Sequence, residues 1–238
     1  MIKAIHFPPA ITGQQLDNYL SRGWFRMGQT IFTTDFIPVD ENIHPVYWLR
    51  LPVQQVSFGK KQKRIFTINK NFSVTVNPYR PTDEIEELYS LYRASINFDA
   101  PPTACGFLLD ETGEEFKNVY DTRVIELRDD GRLIAAGIFD NGENSIAGIM
   151  NFYHPEYKSK SLGKYLMLLK INLAIASGKI YYYPGYIVGG YSKFDYKLFP
   201  DAERTEWYDS IREEWVPYSA SSLPGTIPFD PVSGIARK

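Results

Sequence analysis

The stretch NFYHPEYKSKSLGKYLMLLKINLAIASGKIYYYPGYIV, residues 151–188, decides the fold. Its pattern predicts the end of a strand closed by Pro155, a lysine-rich loop, a helix from Ser161 to Ser177 stopped by Gly178, and a buried second strand. Two strands joined by such a helix lie in one sheet as a parallel or splayed pair. The apolar stripe expected to face that sheet is Leu162, Tyr165, Leu166, Leu169, Leu173 and Ala176.

Three further strands are predicted upstream of this unit. RVIELRDDGRLIAAGIFD alternates apolar and polar residues on both sides of a tight turn at Asp130-Gly131. NSIAGIMNFY forms a third strand after a second turn, at Asn141-Gly142. Because short turns connect antiparallel neighbours, the sequence predicts an antiparallel meander.

A helix is predicted before the meander, from Thr82 to about Asn97, with Asp83 and Glu86 at the spacing of a capping box. The order helix, three-strand meander, loop, helix, strand resembles the GNAT acyltransferase core. In that fold the fourth and fifth strands splay apart, and the gap between them holds the acyl donor. We therefore predict an α+β fold with a GNAT-like core, in which helices flank a mixed, splayed central sheet, plus a small N-terminal module.

The chain is expected to divide into three parts. Residues 1–78 contain a helix in TGQQLDNYLSRG followed by short aromatic and β-branched runs, which predict a small module that is partly β-structure. Residues 79–200 form the predicted catalytic domain. Residues 201–238, rich in Pro, Ser and Gly, are expected to wrap the core as a tail. Candidate anchors of that tail are Trp207, Trp215 and Tyr218.

The composition limits the class of protein. The chain has 238 residues, of which 44% are hydrophobic, so it can build a substantial core without covalent cross-links. Its single cysteine, Cys105, excludes an intramolecular disulfide framework and any cysteine-only metal site, which fits a reducing cytoplasm. No apolar run approaches the roughly 20 residues of a membrane span. We expect a cytoplasmic protein without membrane contact and without a bound metal.

Charge is segregated along the chain although the formal net charge is only −2. GKKQKRIFTINKN, residues 59–71, carries five cations and no acid. Between Tyr157 and Leu198 the only acid is Asp195. The seven lysines of that second run are Lys158, Lys160, Lys164, Lys170, Lys179, Lys193 and Lys197. Each run alone is compatible with a solvated face, but two runs that frame one site favour a polyanion partner.

A family resemblance rests on about fifty residues from Asn151 to Pro200. They resemble the signature of the arginyl- and leucyl-tRNA-protein transferases, T-F-Y-D-P, R-S-L-G-x-Y, Y-L-G-Y-W-I and K-M-x-Y-K, in that order. The matching positions are Phe152, Tyr153, Pro155, Ser161, Leu162, Gly163, Tyr165, Gly185, Tyr186, Ile187, Lys193, Tyr196, Lys197 and Pro200. Weaker likeness reaches back to Tyr19 through AAGIFD, ELYSLY and GWFRMG.

The resemblance implies transfer of an amino acid from aminoacyl-tRNA to the amino terminus of a protein or peptide, as in the N-degron pathway. Aminoacyl-tRNA would then be the co-substrate, and no further cofactor is expected. The chain departs from the family in one respect: it lacks the cysteines usual in the N-terminal module, which there imply a metal or iron–sulfur centre. The family's rule for the accepted amino-terminal residue is therefore not carried over.

Site residues follow from the matched positions. Asp140 is the candidate that holds the incoming amine and takes its proton, unless it only begins the Asp-Asn-Gly turn. Tyr186 is the candidate donor to the oxyanion or leaving oxygen, unless it only packs the strand. Arg26 and Tyr92 are assigned to the acceptor peptide. Residues assigned to the tRNA donor are Phe152, Tyr153, Lys160, Ser161, Gly163, Lys164, Lys193, Tyr196 and Lys197.

Two other functions stay open on the sequence. The first is an acyl-CoA-dependent N-acyltransferase on the same fold, although the loop KSKSLGK has fewer glycines than the Q/R-x-x-G-x-G/A loop of acetyl-CoA enzymes. The second is a non-catalytic tRNA- or peptide-binding protein that has lost its chemistry. The sequence does not identify the transferred amino acid.

Overall fold

The computed structural model describes residues 2–39, 42–112 and 115–219. The strands in chain order are β1 (Ala4–His6), β2 (Phe25–Met27), β3 (Thr30–Thr33), β4 (Phe36–Val39), β5 (Asn42–Pro52), β6 (Ser73–Pro78), β7 (Asp110–Thr112), β8 (Glu115–Lys117), β9 (Thr122–Asp129), β10 (Arg132–Asn141), β11 (Ser145–Tyr153), β12 (Tyr181–Val188), β13 (Glu206–Asp209) and β14 (Glu214–Pro217). The α-helices are α1 (Gly13–Leu20), α2 (Lys60–Asn69), α3 (Asp83–Ser95), α4 (Ala104–Leu108) and α5 (Leu162–Ala176). Short 3₁₀ turns cover Val53–Gln55, Pro155–Lys160 and Ser192–Leu198.

A nine-stranded mixed sheet forms the centre of the molecule, in the order β14-β13-β5-β12-β11-β10-β9-β6, with β4 paired to β5 beside this path. β9, β10 and β11 form the predicted antiparallel meander, and α5 connects β11 to the parallel strand β12. β12 in turn pairs antiparallel with β5. The predicted fold class, an α+β fold with a mixed central sheet and flanking helices, is confirmed.

The two faces of the sheet are covered by different elements. On β12, adjacent side chains point to opposite faces. Tyr182 packs in the cluster under α5, together with Phe139 and Leu166. Tyr183 packs on the other face with Leu16 and Leu20 of α1. The α5 face and the N-terminal face are therefore separate surfaces of one sheet.

The N-terminal region supplies a small sheet of its own, in the order β1-β3-β2. Thr12 caps α1 through a reciprocal capping box with Gln15, as the predicted helix start requires. The longer strand β5 joins the central sheet instead, and β13 and β14 from the predicted tail extend that sheet beyond it. The division of the chain at residues 78 and 200 stays a prediction, and residues 220–238 of the predicted tail lie outside the described residues.

The helix before the meander is confirmed as α3, but its predicted cap was wrong. Thr82 is the N-cap, and its hydroxyl accepts from the Ile85 N–H at 3.3 Å. Glu86 instead caps the next helix, because its carboxylate accepts from the Ala104 and Cys105 N–H groups at 3.1 and 2.6 Å. Among the described helices, none is long and apolar enough to cross a membrane.

Candidate functional site

A gap opens between β11 and β12, as the splayed pair requires. The two strands pair over only three positions, ending with Ala147 opposite Tyr183. β12 then leaves β11 and follows β5 as far as Val188. Gly185 lies in this divergent part with φ +97°, a conformation that side chains rarely adopt, next to a register shift against β5. The gap is therefore bordered by the second half of β11 and the second half of β12.

The first turn of α5 lies at the end of β11 that borders this gap. Ser161 precedes the helix in the left-handed conformation, with φ 55° and ψ 42°, and its side chain makes no capping hydrogen bond. The first backbone N–H groups of a helix have no intrahelical partner, so this turn has donors available for an anion. A Cβ on Gly163 would lie 3.6 Å from the Tyr153 ring, which places this turn beside β11. The exposed Lys164 holds its ammonium 4.6 Å from the Phe199 ring.

The turn Ser192–Leu198 packs along β12 on the other side. Lys197 is half-buried and donates from Nζ to the Tyr186 carbonyl at 2.8 Å. The same ammonium lies 4.7 Å from the Tyr186 ring and 4.8 Å from the Phe194 ring. Burial lowers the pKa of Lys197 to about 7. Lys193 is exposed at the start of the turn, with its ammonium 4.1 Å from the Phe98 ring beyond the end of α3.

Tyrosines gather around the same gap. The rings of Tyr92, on α3, and Tyr153, on β11, have centroids 5.3 Å apart. Burial, reinforced by the nearby phenols of Tyr153 and Tyr196, raises the pKa of Tyr92 to about 12. Burial also raises the pKa of Tyr186, whose ring packs edge-on to Trp48 at 5.1 Å. These hydroxyls therefore stay protonated at neutral pH and can donate hydrogen bonds.

Arg26 and Asp140 are not among the side chains that surround the gap. Their side chains are 2% and 0% exposed and form an ion pair of 2.7 Å. Asp140 also accepts from the Thr122 hydroxyl at 2.6 Å, while Arg26 donates to the carbonyls of Gly28 and Leu108. Burial raises the pKa of the Asp140 carboxyl, against the opposing effects of Arg26 and Thr122. The roles assigned to Asp140 in proton transfer and to Arg26 in acceptor binding stay predictions.

Phe152, which was assigned to the tRNA donor from the sequence, lies in the core. Its side chain is 0% exposed and packs edge-on against Tyr89 of α3, with ring centroids 5.2 Å apart. The neighbouring Tyr153 points to the other face of β11 and is half-buried beside Gly163. Of the two aromatic residues, Tyr153 is the one that borders the gap.

The sequence did not predict α2 as a helix, yet α2 places one of the two basic runs beside the gap. Asn69 donates to the Lys160 carbonyl at 3.0 Å, and Phe66 packs against Tyr165 of α5. Gln62 donates to the Phe199 carbonyl at 2.6 Å. The cations of α2 and of the α5 entry together form what we call the α2 basic surface: Lys60, Lys61, Lys63, Arg64, Lys158, Lys160 and Lys164. In the part of the chain that the structure describes, none of the seven forms an ion pair with a carboxylate.

Two lysines of the second basic run are not part of any surface. Lys179 is 7% exposed and donates to the Gly142 carbonyl at 2.5 Å. Lys170 is 0% exposed, and its Nζ donates to the carbonyls of Ile138 (2.7 Å) and Met150 (3.2 Å) and to Asn151 Oδ1 (2.8 Å). Burial lowers the pKa of Lys170 to about 7. Both lysines were counted in the basic run that was predicted to meet a polyanion, and for these two the prediction was wrong.

Phosphate groups, more than a metal ion, suit the groups around the gap. The first turn of α5 offers N–H donors, and the α2 basic surface offers cations. Within residues 2–39, 42–112 and 115–219, no three His, Cys, Asp or Glu side chains come together as metal ligands. The expected lack of a metal cofactor stays a prediction.

Comparison with known proteins matches the same part of the chain. The family described as arginine-tRNA-protein transferase, C terminus, matches residues 84–202, half of the chain. The aspartate/glutamate leucyltransferase of Shewanella oneidensis is 31% identical over 157 residues, which are 63% of this chain and 62% of that protein. The enzyme of the same name from Pseudomonas fluorescens is 29% identical over 180 residues, 74% of this chain and 72% of that protein. A GCN5-related glucosamine N-acetyltransferase region of a fungal multi-domain β-N-acetylglucosaminidase superposes with a TM-score of 0.40 and 14% identity, over 82% of this chain and 22% of that one.

Proposed function

This chain belongs to the arginine-tRNA-protein transferase family, and on that premise we propose that it transfers an aminoacyl group from tRNA to the amino terminus of a protein. The observation that carries the proposal is the gap between β11 and β12, onto which the uncapped first turn of α5 opens. The charged end of a tRNA combines a phosphate chain with an ester. The donors of α5 suit the phosphates, and the gap suits the ester.

In this arrangement the terminal phosphates meet Lys160, Ser161, Gly163 and Lys164, which lie at the entry to α5. The terminal adenine stacks on Tyr153, the half-buried aromatic side chain at the mouth of the gap. Stacking of a base on an aromatic side chain contributes roughly 1–3 kcal/mol. The ester carbonyl then lies deeper, near Tyr186 and the divergent part of β12.

The reaction requires alignment of the α-amine with the ester carbonyl more than it requires a strong base. A free α-amine has a pKa of about 8, so a substantial fraction is already unprotonated at neutral pH. The amine attacks the ester carbonyl, and the tetrahedral intermediate carries its charge on the former carbonyl oxygen. Tyr186, whose raised pKa keeps its proton, is the proposed donor to that oxygen. Collapse of the intermediate releases the ribose hydroxyl of the tRNA.

The body of the tRNA is proposed to lie along the α2 basic surface. Phosphate contacts with lysine and arginine supply most of the sequence-independent affinity of proteins for nucleic acid. α2 presents its cations next to the α5 entry, because Asn69 and Gln62 fasten the helix to Lys160 and Phe199. The acceptor stem would therefore continue from the gap across α2. We place the protein in the cytoplasm, together with its proposed aminoacyl-tRNA substrate.

For the finer specificity we propose leucine as the transferred residue and an amino-terminal Asp or Glu as the acceptor. The support is that the bacterial relatives which match 63% and 74% of the chain are both called aspartate/glutamate leucyltransferase. The match to the first relative spans 62% of that protein's length. Arginine on the same acceptors is the competing donor, because the matched family is described by arginine-tRNA.

The test is a transfer assay with purified protein, tRNAs charged with radiolabelled leucine, arginine or phenylalanine, and peptides that begin with Asp, Glu, Arg or Ala. We expect leucine to appear on the Asp and Glu peptides. Arginine in place of leucine would change the donor assignment and leave the reaction class intact. Labelled acetyl-CoA serves as a separate arm, and labelling from that donor alone would reject aminoacyl transfer.

A further inference from the structure

Lys197 has surroundings unlike those of a phosphate-binding lysine. Its ammonium is held by the Tyr186 carbonyl at 2.8 Å and by the faces of Tyr186 and Phe194. Tyr196 adds a third ring at 5.9 Å. Among the described residues no carboxylate pairs with it. The charge is thus partly shielded from water and has no counter-ion among these residues, which disfavours the protonated form.

The position of Lys197 places its nitrogen at the divergence of the strands. Gly185 is the second residue of β12 after its last pairing with β11, and a Cβ there would lie 3.4 Å from Lys197 Nζ. The lack of a side chain at Gly185 leaves the amine open toward the gap. Lys193, in the same turn, is exposed and carries its charge over Phe98 at the rim. The turn therefore presents one lysine to solvent and one to the interior of the gap.

We propose that Lys197 is the group that accepts the proton of the attacking α-amine, an inference that rests on the proposed function. The α-nitrogen forms a bond to the ester carbonyl carbon and becomes positively charged. Lys197, entering as the neutral amine, takes one proton from that nitrogen. The same proton then passes to the ribose oxygen as its bond to the carbonyl carbon breaks. Lys197 returns to the neutral amine, so no co-reactant is needed.

The charged and titratable groups near Lys197 are compatible with this role. Tyr186 of β12 and Tyr196 of the same turn both have pKa values raised by burial, so they are neutral neighbours. Asp195 is exposed and lines a cleft of about 270 Å³ with Val188, Tyr191 and Tyr218. Burial alone lowers the pKa of Lys197 to about 7, where a base exchanges protons most effectively at neutral pH. Asp140, by contrast, is fully buried, and its Oδ1 already accepts from Arg26 and Thr122.

The experiment compares Lys197→Arg with the parent protein in single-turnover transfer of leucine, or of whichever residue the parent transfers, between pH 5.5 and 9. Arginine keeps the positive charge but cannot lose its proton. A loss of general base catalysis corresponds to about a 10²–10⁴-fold fall in the rate. We also expect the limb of the pH profile near 7 to disappear, while the limb set by the acceptor amine near about 8 remains. Lys193→Gln is the comparison within the same turn, and it should raise KM for tRNA and leave the limb near 7 in place.

Retention of turnover by Lys197→Arg with an unmoved pH profile would overturn the proposal and assign Lys197 to charge or packing alone. If thermal melting shows that this variant does not fold, Lys197→Cys is alkylated with 2-bromoethylamine instead. The product is a lysine analogue with sulfur in place of one methylene group, and its amine is less basic. The limb near 7 must then move to lower pH, and a fixed limb overturns the role. Cys105 is buried and is checked by the same treatment of the parent. Lack of transfer by the parent from every charged tRNA would overturn the proposed function, and this role with it.

Discussion

Arg26 and Asp140 form a 2.7 Å ion pair that joins β2 of the small N-terminal sheet to β10 of the central sheet. The pair is buried and is supported by Thr122 and by the Leu108 carbonyl. The pair thus links the N-terminal sheet to the central sheet at β10, the middle strand of the meander. Each charge depends on the other, because either one alone would be left buried and uncompensated.

Removal of one partner of this pair is expected to destabilise the protein. Arg26→Met or Asp140→Asn should lower the free energy of unfolding by about 3–5 kcal/mol, the cost typical of a broken buried pair. The double variant Arg26→Met with Asp140→Leu should recover much of that loss, since no unpaired charge remains. Urea unfolding measures all three. Recovered stability with recovered turnover makes the pair structural, whereas recovered stability without turnover supports a functional role for Asp140 or Arg26, as the sequence predicted.

Patterns of short range allowed much of the core to be predicted. The meander and the unit β11–α5–β12 follow from alternation, turn dipeptides and one amphipathic run, all of which act within a few residues. The Arg26–Asp140 pair spans 114 positions, so no local pattern indicates it. α2 was missed because its apolar residues are few among lysines, and packing on α5 stabilises it more than propensity does.

The site was predicted less completely for a similar reason. Matched motif positions predicted Tyr153, Ser161 and Lys197 as site residues, because the order and spacing of the motif carry that information. Apolar residues occur on all sides of α5, so periodicity did not show which side is buried: Ala176 of the predicted stripe is exposed, and Lys170 is buried. A single lysine among apolar residues at the spacing of Leu166 and Ala174 was the available signal.

The α2 basic surface is expected to govern tRNA affinity through its salt dependence. Changing Lys60, Lys61, Lys63 and Arg64 to glutamine should weaken binding and reduce the slope of log Kd against log salt by up to about 3–4, at roughly 0.9 per lost phosphate contact. Filter binding of tRNA between low and moderate salt measures the slope. Lys3→Gln with Arg212→Gln is the control, because both cations pair with carboxylates near the N-terminal face. The control removes two charges and the test variant four, so an equal loss per charge removed would show that net charge, and not this surface, determines binding.

We expect Gly185 to be required both for its backbone conformation and because it has no side chain next to Lys197. Gly185→Ala combines an unfavourable φ of +97° with a Cβ 3.4 Å from Lys197 Nζ. Gly178→Ala has a similar φ of +69° but no neighbour within 4 Å, so it isolates the backbone effect. Both should lose roughly 1–2 kcal/mol of stability. Only Gly185→Ala should also lower the single-turnover rate, and equal rates in the two variants would contradict a functional position for Lys197.

Lys170 is expected to make stability increase with pH. Its pKa is lowered to about 7 in the folded protein from 10.5, so between these values the unfolded chain binds more protons than the folded one. The free energy of unfolding then rises with pH over that window, by up to about 1.4 kcal/mol per unit, and the effect ends below pH 7, where both states are protonated. Lys170→Met, which keeps the length and removes the charge, should lack this contribution. Because Lys197 titrates in the same window, the measured quantity is the difference between parent and variant in urea unfolding from pH 6 to 9.5. A difference that stays constant with pH would mean that the three acceptors Ile138, Met150 and Asn151 keep Lys170 protonated throughout.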